Sequence, residues 1–191
     1  EAARKAKAAA MAEQRRKENE ERKAGEAAAA KLAHELGIGT YGLKGDRGYM
    51  EDRLVVCRLP SGELFAGVYD GHCGENCAEY AKQTLHETMR GTSQYGRGDY
   101  GGALRESFHK TSDEFMARAA AEGKGDESGT TAAVAVIVGN TLHVACAGDS
   151  RTVLCTKGEA SWATHDHKPD DPSEQKRITS LGGLIDYGGI V

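Results

Sequence analysis

The sequence predicts an α+β domain in which helices pack on antiparallel sheet. Strand and helix patterns follow one another in the order β-β-α-α-β-β-β-α, without the regular strand–helix alternation that builds a parallel, doubly wound sheet. Two tight turns, at 60–63 and at Gly139-Asn140, join neighbouring strands as hairpins. Because strands joined by so few residues run antiparallel, the sequence indicates a layered α+β architecture.

The strands are predicted from short apolar runs that turn residues bound. They cover 54–57, 64–69, 131–138, 141–147 and 152–155. Residues 132–138 are apolar without interruption, which predicts that this strand is buried on both faces of the sheet.

The helices are predicted from apolar residues at helical spacing. Such spacing is found between 75 and 90 and again between 104 and 119, and the glycine-rich segment 91–98 reads as the loop between them. A third helix begins at Pro172, because proline suits the first helical turn, and ends at Gly182-Gly183.

The first 38 residues differ in composition from the rest of the chain. They are rich in Ala, Glu, Lys and Arg, which are mostly strong helix formers. The large apolar residues before Gly37 are Met11, Leu32 and Leu36, too few for a coiled-coil seam. Residues 1–38 are therefore predicted to be a charged helical arm or linker, either solvated or docked on a larger protein assembly. A separate domain is predicted for 39–191.

Charge and composition exclude several classes of partner. The net charge of −4 predicts no sequence-independent binding to nucleic acid or to an anionic membrane. No apolar run approaches the roughly 18 residues of a membrane span. The five cysteines lack the spacing of a disulfide framework, which predicts free thiols in a reducing compartment. The predicted location is the cytoplasm, or a compartment continuous with the cytosol.

Acidic residues recur where predicted strands meet loops. Glu51-Asp52 precedes the first strand, Asp70 ends the second and is followed by Gly71, and Asp149 ends the fourth. Alone, each fits an ordinary turn or a solvated strand end. Together they would offer hard oxygen ligands to divalent cations, and Arg47 would offer a phosphate-binding guanidinium. That combination is typical of a two-metal phosphoester hydrolase.

Four sequence blocks in a fixed order resemble one family, the metal-dependent Ser/Thr protein phosphatases of the 2C type. The blocks are 45–52 (GDRGYMED), 68–74 (VYDGHCG), 128–132 (SGTTA) with 147–151 (AGDSR), and 166–169 (DHKP) with Pro172, Glu174, 177–178 and 182–183. The resemblance implies a layered α-β-β-α sandwich of two antiparallel sheets flanked by helices. It also implies that 39–191 is the N-terminal portion of a catalytic domain, so that the sandwich is incomplete at its C-terminal end.

The resemblance further implies a metal site. Asp70 would bridge two Mn²⁺ or Mg²⁺ ions, and the carbonyl of Gly71 and the carboxylate of Glu51 would complete the protein ligands of the second ion. Asp149 would help to hold a third, weaker ion. Asp52 would orient a metal-bound water by accepting its hydrogen bond.

The same resemblance implies the reaction and its substrates. Water activated at the two-metal centre would hydrolyse phosphoserine and phosphothreonine in phosphoproteins. Arg47 would hold the substrate phosphate, and His72 would donate a proton to the leaving oxygen. No cysteine would act as the nucleophile.

Two departures from the family pattern give further expectations. Cys73 stands where the family usually has glycine, which predicts either a tolerated small side chain or a redox-sensitive site. The later Asp-Gly and Asp-Asn blocks of the family do not occur in these 191 residues, so we expect this chain alone to be inactive and poorly stable.

Two alternatives remain open at the sequence level. The chain could be a non-catalytic phosphatase-like binding or scaffold domain, tethered to an assembly by its N-terminal helix. Separately, the segment His165-Asp166-His167, with Asp170 and Asp171, fits either a compact Zn²⁺ or Ni²⁺ site or an ordinary loop.

Overall fold

The computed structural model describes residues 7, 10–14, 16, 17, 20, 31, 37–122, 125–186, 189 and 190. The predicted N-terminal arm therefore lies largely outside the described residues, although those that are described before residue 32 are helical. The elements below belong to the domain that follows the arm.

Ten strands and four helices make up the described domain. The strands are β1 (Arg53–Arg58), β2 (Leu64–Tyr69), β3 (Gly71–His72), β4 (Gly129–Thr130), β5 (Ala132–Val138), β6 (Thr141–Ala147), β7 (Val153–Thr156), β8 (Glu159–Ala163), β9 (Ile185–Asp186) and β10 (Gly189–Ile190). The helices are α1 (Asn76–Arg90), α2 (Ser93–Gly96), α3 (Tyr100–Ala121) and α4 (Pro172–Ser180).

The main sheet has four strands in the order β1-β2-β5-β6, and every neighbouring pair is antiparallel. The hairpins β1–β2 and β5–β6 turn where the sequence predicts, and β2 pairs with β5 in the middle of the sheet. Three two-stranded antiparallel sheets, β3–β4, β7–β8 and β9–β10, complete the strand pairing among the described residues. The predicted class, antiparallel sheets flanked by helices, is confirmed.

The hydrophobic core lies between one face of the main sheet and the helices α1 and α3. Alternate residues of the central strands point into it, because successive side chains of a strand lie on opposite faces. The sheet contributes Phe65, Tyr69, Val134 and Val136, each fully buried; the helices contribute Ala78, Leu85, Met89, Ala103 and Leu104. This packing fixes the ends of β2 and β5, from which the candidate site is built.

The prediction that residues 132–138 are buried on both faces is wrong. Ala132, Val134 and Val136 face the helices and are buried, but Ile137 on the opposite face is 40% exposed. On that same face Val68 is 51% exposed. An uninterrupted apolar run shows that both faces avoid polar side chains, but it does not show which elements cover them.

The helix ends follow the capping residues of the sequence. The Asp99 carboxylate accepts a hydrogen bond from the Gly102 N–H (2.9 Å) at the start of α3. The Asp171 carboxylate accepts from the N–H groups of Ser173 and Glu174 at the start of α4, where Pro172 occupies the first turn. Such side-chain caps satisfy N–H groups that have no partner inside the helix.

Some short elements were not predicted. Helix α2 lies inside the predicted glycine-rich loop, and its start is capped by the Thr92 hydroxyl, which accepts from the Tyr95 N–H (3.1 Å). Strand β8 is exposed along its whole length and pairs with β7 through an irregular register. Strands β3 and β4 have two residues each. None of these carries a long apolar pattern that sequence periodicity could detect.

A buried carboxylate holds the far end of the β1–β2 hairpin against the helices. Glu63 is 6% exposed and accepts hydrogen bonds from the hydroxyls of Tyr95 (3.0 Å) and Tyr100 (2.8 Å). Burial raises the pKa of Glu63, but its own backbone N–H, the two tyrosines and the charge of Arg90 outweigh that effect and leave the pKa lowered. The ionised form is therefore the one that the fold stabilises.

We expect Glu63→Gln to lower the free energy of unfolding by about 1–2 kcal/mol at pH 7, because it removes two charge-assisted hydrogen bonds. A group with a lowered folded-state pKa stabilises above its unfolded value and loses that contribution as the pH falls through the folded value. The difference between the variant and the unaltered protein should therefore shrink below about pH 4. Urea unfolding at pH 7 and pH 3.5 measures it, and a difference that is the same at both pH values would contradict this account.

Candidate functional site

The end of β2 holds Asp70 through its main chain. The Thr131 N–H donates to the Asp70 carbonyl (2.9 Å), and the Asp70 N–H donates to the Thr131 hydroxyl (3.2 Å). Directly after Asp70 the chain forms β3, in which Gly71 pairs with Thr130 and His72 with Gly129 of β4. These contacts place the side chain of Asp70 at the edge of the sheet, where it is exposed.

Thr131 also joins Asp70 to the turn that carries Asp149. The hydroxyls of Thr131 and Ser150 are 2.5 Å apart. Gly148 has φ +86° and packs on Thr131 so closely that a Cβ atom at Gly148 would lie 2.7 Å from the Thr131 methyl group. Only glycine suits this combination of backbone angle and close contact. Asp149 is thereby brought to the same edge of the sheet as Asp70.

The pKa of Asp70 is shifted by partial burial and by the carboxylates around it. Partial burial, the charge and hydrogen bond of Asp52, and the charge of Asp149 all raise the pKa of Asp70 above its ordinary value, and His72 opposes them in part. Like charges held together are destabilising unless a cation accompanies them. The donor set, all oxygen, is the type that Mg²⁺ and Mn²⁺ prefer, so these residues fit a hard divalent cation.

Glu51 lies against the loop that follows Asp70. A Cβ atom at Gly71 would be 2.6 Å from the Glu51 carbonyl oxygen, so glycine is needed at this position. The Glu51 carboxylate accepts a hydrogen bond from the Gly74 N–H (2.6 Å). Within the described part of the chain, no three Asp, Glu, His or Cys side chains converge as a compact ion-binding group. The structure thus brings Glu51, Asp52, Asp70 and Asp149 to one edge without closing them around a common point.

Arg47 and His72 occupy different surroundings. Arg47 is exposed, its backbone N–H donates to the Lys44 carbonyl (3.4 Å), and its side chain has no partner among the described residues. The imidazole of His72 lies against Gly129, where a Cβ atom would be 2.3 Å from its Nε2 atom. His72 therefore sits two residues after Asp70 on a strand that has a glycine at the facing position, whereas Arg47 lies earlier in the chain, in a segment without helix or strand.

Sequence reasoning missed Arg53, which fixes the Glu51-Asp52 segment. Its guanidinium donates to the carbonyls of Met50 (3.0 Å) and Asp52 (2.9 Å), and it forms ion pairs with Glu79 of α1 (2.6 Å) and with Glu75, the residue before α1. The side chain is 19% exposed. A signal was available, because Glu75 and Glu79 are four residues apart and share one helix face.

We expect Arg53→Met to lower the free energy of unfolding by about 2 kcal/mol, because it leaves one carboxylate oxygen of Glu79 and two carbonyl oxygens without the donor that Arg53 supplies. The matched control is Arg58→Met on the same strand, which removes one exposed hydrogen bond to the Gly62 carbonyl (2.7 Å) and should cost less than about 0.5 kcal/mol. Denaturant unfolding of both variants measures the difference. Equal losses would contradict the role given to Arg53.

Cys73 adopts a backbone conformation that glycine prefers. Its φ is +56°, in the left-handed region, and its side chain is exposed. A residue with a Cβ atom pays for this conformation through contact with its own carbonyl oxygen. Cysteine in place of the family's usual glycine at position 73 is therefore expected to strain the backbone.

We therefore expect Cys73→Gly to raise the free energy of unfolding by about 0.5–1 kcal/mol, the relief of strain being partly offset by the greater freedom of glycine in the unfolded chain. Cys155→Gly, at an exposed position inside β7, should have the opposite sign. Thermal unfolding of the two variants checks both signs, and a loss of stability in Cys73→Gly would contradict the strain argument.

The segment considered for a Zn²⁺ or Ni²⁺ site has other partners. Asp166 forms a two-point ion pair with Arg151 (2.8 and 2.7 Å), and His167 Nδ1 accepts from the Gly148 N–H (3.3 Å). His165 lies 3.2 Å from Asp171, which caps α4. These contacts pack the segment against the turn that carries Asp149, and Lys168 lies 3.6 Å from Asp149 itself. The ordinary-loop alternative is therefore favoured.

Comparison with known proteins supplies the relatives of this chain. The family described as Protein phosphatase 2C matches residues 42–191. The protein named Protein phosphatase 2C homolog 2 from Hypocrea jecorina is 40% identical over 126 residues, which are 66% of this chain and 28% of that protein. Probable protein phosphatase 2C 59 from Arabidopsis thaliana is 37% identical over 149 residues, which are 76% of this chain and 47% of that protein. The chain thus spans less than half the length of these two relatives.

Solved structures share the fold. The serine-threonine phosphatase 2C from Toxoplasma gondii superimposes with a TM-score of 0.65 at 25% identity, over 75% of this chain and 54% of that one. A sex determining protein of C. elegans gives a TM-score of 0.65 at 27% identity, over 75% of this chain and 38% of that one. In the described part of the chain, no helix is both long and apolar enough to cross a membrane.

Proposed function

Because the chain belongs to the protein phosphatase 2C family, we propose that it carries the Asp70 half of a metal-dependent active site that hydrolyses phosphoserine and phosphothreonine in proteins. The observation that carries this proposal is the gathering of Asp52, Asp70 and Asp149 at one sheet edge, which raises the pKa of Asp70. Carboxylates that are held where they repel one another are typical of a cation site.

Each residue at this edge has a proposed task. Asp70, the Gly71 carbonyl, Glu51 and Asp149 would hold Mn²⁺ or Mg²⁺, and Asp52 would orient the attacking water. When bound, such ions would lower the pKa of a water so that it loses a proton and becomes a nucleophile, and they would stabilise the negative charge of the phosphoryl oxygens. Arg47, whose guanidinium is unpaired among the described residues, is free to bind the substrate phosphate at two points.

His72 would supply the proton that the departing serine or threonine oxygen needs. It follows Asp70 by two residues, on the strand that Gly129 supports. Imidazole is the side chain that most readily exchanges a proton near neutral pH. The chain's cysteines take no part in this scheme, since the nucleophile is water.

The test is phosphate release by the protein as its cell makes it, purified and then depleted of metal with a chelator. We expect release from phosphothreonine and phosphoserine peptides that returns on addition of Mn²⁺ or Mg²⁺, and far slower release from a phosphotyrosine peptide. Absence of release from every peptide at millimolar Mn²⁺ would overturn the proposal and would leave the non-catalytic binding or scaffold role.

A further inference from the structure

A surface groove opens beside His72. It lies between the C-terminal half of α3 and the segment 125–130, and its volume is about 720 Å³. His72 lines one end, together with Gly129 and Thr130 of the strand that pairs with β3. The groove therefore extends to His72, which follows Asp70 by two residues.

One wall of the groove is apolar. Phe115, Met116 and Ala119 of α3 line it. Phe115 is held in place by the ring of Tyr80, with centroids 5.7 Å apart, whereas Met116 is 57% exposed. An unbranched, adaptable methionine beside a fixed aromatic ring suits an apolar side chain of variable shape.

The opposite wall is acidic. Hydrogen bonds from the Ser128 side chain, from the Ser128 N–H (2.9 Å) and from Asn76 Nδ2 (2.9 Å) lower the pKa of Asp126. Glu127 is exposed and has no hydrogen bond or ion pair among the described residues. The described lining includes no lysine or arginine; Lys124 lies outside the described residues. The wall thus offers negative charge that the described protein does not neutralise.

These features together select one kind of occupant. The proposed substrate is a phosphorylated polypeptide. While its phosphorylated residue reacts beside His72, the neighbouring residues of the same polypeptide can occupy the groove. An extended segment of three to four residues spans roughly 10–14 Å, so the neighbours of a phosphorylated residue at His72 can extend along the groove that His72 lines.

We infer that the groove binds the substrate polypeptide on one side of the phosphorylated residue, and that it selects segments carrying an apolar side chain and a basic side chain there. The apolar side chain would contact Met116 and Phe115, and the basic one would pair with Glu127 and Asp126. This inference rests on the proposed phosphatase function and adds to it a sequence preference.

The experiment compares phosphothreonine peptides that differ only in their flanking residues, using the protein as its cell makes it. In the first pair, one peptide carries Leu-Arg before the phosphothreonine and the other carries Gly-Glu there. In the second pair, the same two sequences follow the phosphothreonine. We expect the unaltered protein to prefer the Leu-Arg peptide on one side only. With Glu127→Lys, kcat/KM for that peptide should fall about fivefold to tenfold, because an attraction across the groove becomes a repulsion.

Three controls separate the groove from the chemistry. The kcat/KM for p-nitrophenyl phosphate, which carries no flanking residues, should change less than about twofold, because Glu127 is exposed and is not among the residues proposed to act on the phosphate. Glu159→Lys, at an exposed position on β8 outside the groove lining, should leave the peptide preference intact. Met116→Ser should reduce the preference for the Leu-Arg peptide without abolishing it, because the acidic residues remain.

The outcomes are distinct. A preference for the Leu-Arg peptide that Glu127→Lys reduces or reverses supports the groove as the binding site. Equal hydrolysis of all flanking sequences, or an equal effect of Glu127→Lys on both peptides of a pair, overturns the inference while leaving the phosphatase function standing. If the unaltered protein hydrolyses neither the peptides nor p-nitrophenyl phosphate, the proposed function fails and the inference fails with it.

Discussion

Asp70→Asn should reduce the release of phosphate from a phosphothreonine peptide at least about a thousandfold, the scale of loss for a group that organises the reacting charges. The amide has nearly the same shape as the carboxylate, but it provides no negative charge to attract a divalent cation. The two hydrogen bonds between Asp70 and Thr131 use the main-chain N–H and carbonyl of Asp70 and not its carboxylate, so they should survive the substitution.

The same substitution should not weaken the fold. The raised pKa of Asp70 indicates that its ionised form is destabilised, in part by the charges of Asp52 and Asp149. When no metal is bound, removing the charge of Asp70 therefore relieves repulsion. In chelator, Asp70→Asn should therefore unfold at the same temperature as the unaltered protein or slightly higher. The matched control, Asp113→Asn on the exposed face of α3, should change neither activity nor stability. Full activity in Asp70→Asn would contradict the proposal, and a marked loss of stability would show a structural role instead.

His72→Gln should affect substrates according to their leaving groups. A serine or threonine oxygen leaves only when it receives a proton, so loss of the general acid should slow the phosphothreonine peptide about a hundredfold. The p-nitrophenolate ion leaves without a proton, and its release should slow far less, by less than about tenfold. Glutamine keeps a polar side chain of similar reach against Gly129.

A matched histidine separates this role from a general effect. His109 is exposed on α3 and has no partner among the described residues, so His109→Gln should leave both substrates unchanged. The decisive quantity is the ratio of kcat for the peptide to kcat for p-nitrophenyl phosphate. If His72→Gln lowers both rates by the same factor, His72 does not act as the proton donor.

Much of the main sheet and its helices could be predicted, because their signals are local. Strand β2 lies at 64–69 as the apolar run predicts, and α1 and α4 begin within one or two residues of the predicted starts. Hairpin turns and capping residues act between neighbours in sequence, so periodicity and turn chemistry detect them. Asp70 and Asp149 could be singled out for the same reason, since each ends a recognisable strand.

The supports of the site could not be predicted, because they join distant segments. Thr131 links Asp70 to Ser150 only through the pairing of β2 with β5, and Gly129 accommodates His72 only because β3 meets β4. Arg53 reads as an ordinary charged residue at the start of a strand until α1 places Glu79 beside it. Such roles depend on tertiary contacts that no local pattern records.

The exposure of the second face of the main sheet has a similar cause. Leu54, Val68 and Ile137 are apolar, yet they are 37%, 51% and 40% exposed among the described residues. A sequence pattern states the chemistry of a face, whereas its burial depends on what packs there. The burial prediction for 132–138 was wrong for this reason.

The central claim is that Asp70 and its neighbouring carboxylates form a divalent-cation site, and counting bound Mn²⁺ tests it most directly. Electron paramagnetic resonance measures the free ion during a titration of the protein as its cell makes it, alongside Asp70→Asn and Asp113→Asn. The account predicts that the unaltered protein and Asp113→Asn bind Mn²⁺ alike, and that Asp70→Asn binds it more than about tenfold more weakly. Mn²⁺ binding that Asp70→Asn leaves unchanged, or no binding by the unaltered protein, would contradict it.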